Sequence, residues 1–190
     1  MKKYELTKEK ETLADGTVLH RIRALRDIPR FCVKAGELGG FVEGENNLSQ
    51  DGDAWVYGNA CVYGDAEVYG NAWVYGNARV FENAKVYGKA WVYGNARVFG
   101  NANVSSDAEV SGYADYMVIK NIWSSGRWFT YTSSNKKWAV GCFYGTGEEL
   151  VAKAYKDSKL SGKCYEAIVH AVETIEAAKA EAKGESNGSK

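Results

Sequence analysis

The sequence predicts a mostly β chain built around a triangular β-solenoid of about 18 residues per coil, with an N-terminal β cap and a small C-terminal α+β module. Three observations predict it. Ala recurs every six residues from Ala54 to Ala114, and a Val stands two residues after each up to Ala108, from Val56 to Val110. The unit, clean in Ala72-Trp73-Val74-Tyr75-Gly76-Asn77, ends in Gly-Asn, which supplies the positive φ that a sharp corner needs. Trp returns at 55, 73 and 91, so three units close one coil. A left-handed β-helix is the expected form, although the period itself does not fix the hand.

The first element is a cap over residues 1–41. Tyr4-Glu5-Leu6 and Thr17 to Arg23 alternate as strands around Ala14-Asp15-Gly16. Such a hairpin protects the first coil, whose open edge is otherwise a template for aggregation. The solenoid spans 42–115. Ala and Val, two residues apart, face inward on a short strand, and the residue between them faces out. The outward positions sort into three faces: Trp55, Trp73 and Trp91; Cys61, Arg79 and Arg97; Glu67, Lys85 and Asn103. The pattern dissolves where Ser105, Ser106 and Ser111 replace aromatic and Gly positions.

Residues 116–183 form a different module. Three strands, 117–123, 128–132 and 138–143, make an antiparallel meander with turns at Ser124-Ser125-Gly126 and Ser133-Ser134-Asn135. Thr146-Gly147-Glu148-Glu149 has the capping-box spacing and starts a helix to about Asp157. A second helix runs from about Ser161 toward Ala182, and residues 184–190 read as a disordered tail.

Composition excludes several functions. The chain has 24 Lys plus Arg and 24 Asp plus Glu. Zero net charge argues against duplex nucleic acid as a partner, which needs a strongly basic face. Residues 51–115 carry four basic side chains (Arg79, Lys85, Lys89, Arg97) against eight acidic, so anions are expected to prefer the ends. No apolar run reaches the length of a membrane span. Met1-Lys2-Lys3-Tyr4-Glu5 leads into charge, so no secretory signal is expected. Cys32, Cys61, Cys142 and Cys164 form no CxxC pair and read as reduced thiols of a cytoplasmic protein.

Hexapeptide-repeat solenoids are often acyltransferases, and some are zinc hydratases. The first chemistry needs a His base and the second a cluster of His ligands. The repeats contain no His; His20 lies in the cap and His170 on a helix. No catalytic residue, cofactor or metal is therefore expected. Stacked outward, Trp55, Trp73 and Trp91 form an apolar face suited to self-association, and a homotrimer is the natural closed form. Arg127 beside Trp128, and Lys136-Lys137 before Trp138, pair fixed charge with an aromatic ring, as a nucleotide site would. Ordinary hairpin-turn solubility accounts for the same residues.

Lys34-Ala35-Gly36-Glu37-Leu38-Gly39-Gly40-Phe41-Val42-Glu43, Asn47-Leu48-Ser49 and the tandem Trp-Val-Tyr-Gly-Asn-Ala units resemble hexapeptide-repeat proteins of phages and prophages of Gram-positive bacteria, often labelled polymer-forming. Val140-Gly141-Cys142-Phe143-Tyr144-Gly145-Thr146-Gly147-Glu148-Glu149-Leu150 looks like the module that follows the repeats in many of them. The resemblance implies a non-enzymatic, homo-oligomeric accessory protein in the cytoplasm of an infected cell. It would act against host defence by sequestering a nucleotide-derived immune signal. A pocket of that kind would draw on Arg127, Trp128, Tyr131, Lys137 and the Thr146-Gly147 amides. Two other roles stay open: a protein-binding inhibitor of a host defence complex, and a self-assembling structural solenoid.

Overall fold

The computed structural model describes residues 2–187, with side chains through Ala182. The solenoid is present with the predicted period. Every Ala from 54 to 108 and every Val from 56 to 110 in the repeat is buried, forming one continuous core. Ala114 is exposed because the chain leaves the coil at the short turn Tyr113–Asp115. Ten two-residue strands carry the walls: β4 (Trp55–Val56), β5 (Cys61–Val62), β6 (Glu67–Val68), β7 (Trp73–Val74), β8 (Arg79–Val80), β9 (Lys85–Val86), β10 (Trp91–Val92), β11 (Arg97–Val98), β12 (Asn103–Val104) and β13 (Glu109–Val110). They stack in parallel as β4-β7-β10-β13, β5-β8-β11 and β6-β9-β12, in the predicted registers. Corner residues take φ near +60 even where Gly is absent, as at Glu82 and Ser106. Corner aromatics stack from coil to coil, with Tyr63–Phe81 and Phe81–Phe99 centroids 5.2 Å apart.

The N-terminal hairpin is β1 (Tyr4–Thr12) and β2 (Val18–Ala24). It joins the prism through β3 (Leu38–Val42), antiparallel to β2 and parallel to β5, so one sheet runs β1-β2-β3-β5-β8-β11. The stack has a net direction: outside the strand pairs, the coil-to-coil bonds run from the N–H groups of one coil to carbonyls of the next, as in Trp73 N to Ala90 O at 2.9 Å. Its first coil therefore presents mainly free carbonyls and its last coil mainly free amides, which must find partners if buried. At the carbonyl end Lys3 Nζ donates to Ala54 O at 2.7 Å, the Tyr4 hydroxyl to Leu48 O at 2.7 Å, and Arg26 Nη2 to Gly52 O at 2.7 Å. At the amide end Thr130 Oγ1 accepts from Asn103 N at 2.8 Å and Ser134 Oγ from Glu109 N at 2.8 Å. Asp115 Oδ2 accepts from both Ser111 N and Gly112 N. Donors predominate at the first end and acceptors at the other, where the Tyr116 hydroxyl also donates to Arg97 O at 2.9 Å.

Lys3 is fully buried, and burial pulls its amine down to about 8 from 10.5, with Arg26 adding to the effect. Above pH 8 the unfolded chain binds more protons at this site than the fold does, so stability rises with pH. Burial acts oppositely on Cys61, raising its thiol from 9.0 to about 11, which lowers stability above pH 9. Urea unfolding is expected to show a gain of about 1 kcal/mol between pH 8 and 9, absent in Lys3→Met. A flat or falling curve in the native chain would place Lys3 in solvent.

The C-terminal module has four strands rather than three: β14 (Tyr116–Lys120), β15 (Trp128–Thr132), β16 (Lys137–Val140) and β17 (Phe143–Gly145), antiparallel in that order. The expected 138–143 strand is split because Gly141 takes φ +58 and turns the chain. Helix α1 (Gly147–Asp157) starts at the predicted capping box, and α2 (Lys159–Asn187) packs beside it. The helix backbone runs through 184–187, four residues of the segment expected to be a disordered tail; 188–190 lie outside the described residues.

Candidate functional site

Strand parity decides how the expected ligand residues are arranged. In β15, Phe129 and Tyr131 face the helices with their partners Val140 and Trp138, inside the second core. Trp128, Thr130 and Thr132 alternate with them on the opposite face, and Thr130 meets the solenoid. Lys137, paired with Thr132, shares that solenoid-side face. Trp128 and Lys137 are thus separated from Tyr131 by the thickness of the sheet. Arg127 approaches Gly141 and lines a void of about 20 Å³ with Phe143 and Tyr165.

Thr146 and Gly147 are committed to the helix start. Thr146 Oγ1 accepts from Glu149 N at 3.2 Å, and Glu149 Oε2 accepts from Thr146 N at 2.7 Å. A carboxylate already occupies the place a phosphate would take. Gly147 is buried against α2, so close that a Cβ there would stand 2.5 Å from Val169 Cγ1. Tyr131 and Gly147 do line one cavity of about 490 Å³, together with Trp138, Lys136, Glu173 and Glu176. Burial, then Glu176 and Glu173, push the Tyr131 hydroxyl up to about 12, so the surroundings there favour protons over anions. The six residues do not form one anion pocket.

The Trp row is in register but is not an open face. Trp55 is 0% exposed. Tyr4 meets it edge-on at 6.4 Å, and the Gly39 backbone lies so close that a Cβ there would be 2.8 Å from its ring. Phe31, on the loop between β2 and β3, stacks on Trp73 at 4.8 Å. Among the described residues Trp91, half-buried, meets only rings of the solenoid, Trp73 and Tyr75. The outward Trp face expected for self-association is therefore mostly covered by residues 3–39 of the same chain.

A different face is open. Arg79 and Arg97 are register partners on β8 and β11, both exposed, and neither forms an ion pair among the described residues. Beside them runs a row one coil apart, Asn59 to Asn77 to Asn95, linked Nδ2 to Oδ1 at 3.3 Å each. These five residues, with Phe41, Cys61 and Glu11, line a shallow groove of about 620 Å³. Cys61 is buried, and its raised thiol makes it floor rather than nucleophile. Guanidinium forks beside carboxamides offer donors suited to phosphate or carboxylate. Sequence reasoning placed the two Arg on one face but averaged them into an acidic prism; the 18-residue spacing of Asn59, Asn77 and Asn95 was the available signal.

Among the described residues no cluster of three or more His, Cys, Asp or Glu could hold a metal, and no helix is long and apolar enough to cross a membrane. His20 lies on β2 with Nδ1 3.4 Å from Thr7 O, and His170 lines an open groove between α1 and α2. Comparison with known proteins gives two findings. A family described as the YdcK β-solenoid repeat matches residues 90–106. "Uncharacterized acetyltransferase YdcK" of Escherichia coli (strain K12) is 37% identical over 79 residues, covering 37% of this chain. The matched part spans 24% of that protein's length. Both findings agree with a β-solenoid repeat.

Proposed function

We propose that this chain is a non-enzymatic binding protein that sequesters a small phosphorylated ligand, with the solenoid as rigid scaffold and the Arg79–Arg97 strip as binding surface. One observation carries the reading: two guanidinium groups held in register on consecutive coils with no carboxylate partner among the described residues. The parallel register fixes where the two arginines leave the wall, one coil apart, so an anion can meet both planar forks at once, although each exposed side chain still gives up rotamer freedom on binding. The resemblance of residues 34–43 and 140–150 to phage hexapeptide-repeat proteins supports a nucleotide-type immune signal as the cargo and defence evasion as the purpose.

Calorimetric titration with inorganic pyrophosphate at low salt tests the surface. The double variant Arg79→Ala/Arg97→Ala is expected to weaken binding about 10-fold or more while melting like the native protein, since both side chains are exposed. The pyrophosphate should be recovered intact. Unchanged affinity in the double variant would remove the strip from the reading, and converted ligand would make the chain an enzyme.

Acyl transfer is the second reading, favoured by the 37% identity to a protein named as an acetyltransferase. Thiol release from an acyl thioester above the buffer rate would put it first.

A further inference from the structure

We propose that the strip continues into an aromatic subsite formed by Phe99 and Tyr113, which makes the preferred ligand a nucleotide rather than a bare phosphate. This rests on the strip binding phosphate. Arg97 belongs to two adjoining grooves. One is the Arg–Asn strip; the other, about 570 Å³, is lined by Phe81, Phe99, Tyr113, Asn95 and Gly112 among others. The Arg97 guanidinium carbon lies 5.4 Å from the Phe81 ring centroid, so the cation sits at the seam between them.

Two aromatic rings of this second groove, Phe99 and Tyr113, are left largely open by the fold. Tyr113 is 91% exposed and stands on the turn that ends the solenoid. Phe99, 46% exposed, ends the Tyr63–Phe81–Phe99 stack, and among the described residues no further ring stacks on it. Upstream in this stack, Tyr63 and Phe81 each lie on the next ring at 5.2 Å between centroids. The stack therefore stops with one face open, at the point where Arg97 offers charge. A purine or pyrimidine has the planar π-face that such a site accepts, and ring stacking tolerates any base. A ligand whose ring sits there and whose phosphates reach Arg97 and Arg79 satisfies both grooves. Glu82, which also lines the second groove, is already engaged by Gly100 N at 2.9 Å. Its charge keeps phosphate on the Arg79 side and the uncharged ring beside Tyr113.

Titration with adenosine diphosphate and with pyrophosphate separates the parts. The nucleotide is expected to bind about 10-fold tighter than pyrophosphate. Tyr113→Ala should reduce the nucleotide to the pyrophosphate value and leave pyrophosphate unchanged; Phe99→Ala gives a second reading of the same subsite. Equal affinity for the two probes, insensitive to both variants, overturns the aromatic subsite while the strip stands. Failure of both probes to bind overturns the strip itself, and the subsite with it.

Discussion

Trp55→Ala is expected to lower the unfolding free energy by about 3–5 kcal/mol, while Trp91→Ala costs about 1–2 kcal/mol. The two residues occupy the same position of the repeat and pair with the same neighbour, Trp73. They differ in what covers them. Trp55 is wholly enclosed by residues of the cap, so truncation leaves a cavity walled by Tyr4, Gly39 and the first coil. Trp91 is partly in solvent, and water fills the space its ring leaves. Trp55→Phe should cost far less than Trp55→Ala, because it keeps an aromatic ring and removes an indole N–H that has no hydrogen-bond partner. Urea denaturation of the three variants reads these differences. Equal losses at 55 and 91 would mean that the cap does not lie over the first coil.

Gly40→Val is expected to be comparably severe, about 3 kcal/mol or more, and to detach the N-terminal cap rather than melt the prism. A Cβ at Gly40 would stand 2.5 Å from Ala60 O and 2.7 Å from Val56 Cγ1. The carbonyl is backbone and cannot turn aside. It also accepts the Phe41 N–H at 2.9 Å, so the clash breaks the bond that joins β3 to β5. Hydrogen exchange should then accelerate at Phe41 and Glu43 while amides of the middle coils stay protected. Gly44→Ala is the control. Nothing lies within 4 Å of a Cβ there, and its φ of −155 is extended, so the change should stay below about 0.5 kcal/mol. Native-like exchange at Phe41 in Gly40→Val would show that β3 is not held this close.

The prism was legible because one rule repeats. Ala and Val in phase bury a core, and the 18-residue return of Trp sorts every outward residue onto its face before any contact is known. The cap was legible only as a hairpin. Its folding over Trp55 and Trp73 depends on single contacts from Lys3, Tyr4, Phe31 and Gly39, none of which carries a period. The same holds at the other end, where Thr130 and Ser134 serve as acceptors from within ordinary strand and turn sequence. Adjacent residues in a strand point to opposite faces, so Arg127-Trp128 and Lys137-Trp138, neighbours in sequence, were poor guides to a shared site. Residues 18 apart were better guides. Arg79 and Arg97 meet in register because each coil returns the chain to the same wall.

The opposed ends of the stack free its length from its boundaries. Hydrogen-bond donors dominate the closure of the carbonyl end and acceptors that of the amide end, and these side chains bond only to the outermost coil. One whole turn of sequence can enter or leave the middle without altering either closure, since the surfaces exposed to the caps stay the same. What changes is the number of rungs on each wall. A gene that duplicates one turn would lengthen the guanidinium row while leaving the fold's two termini as they were. Recognition reach and structural integrity can thus vary independently in this architecture, and selection can extend the one without renegotiating the other.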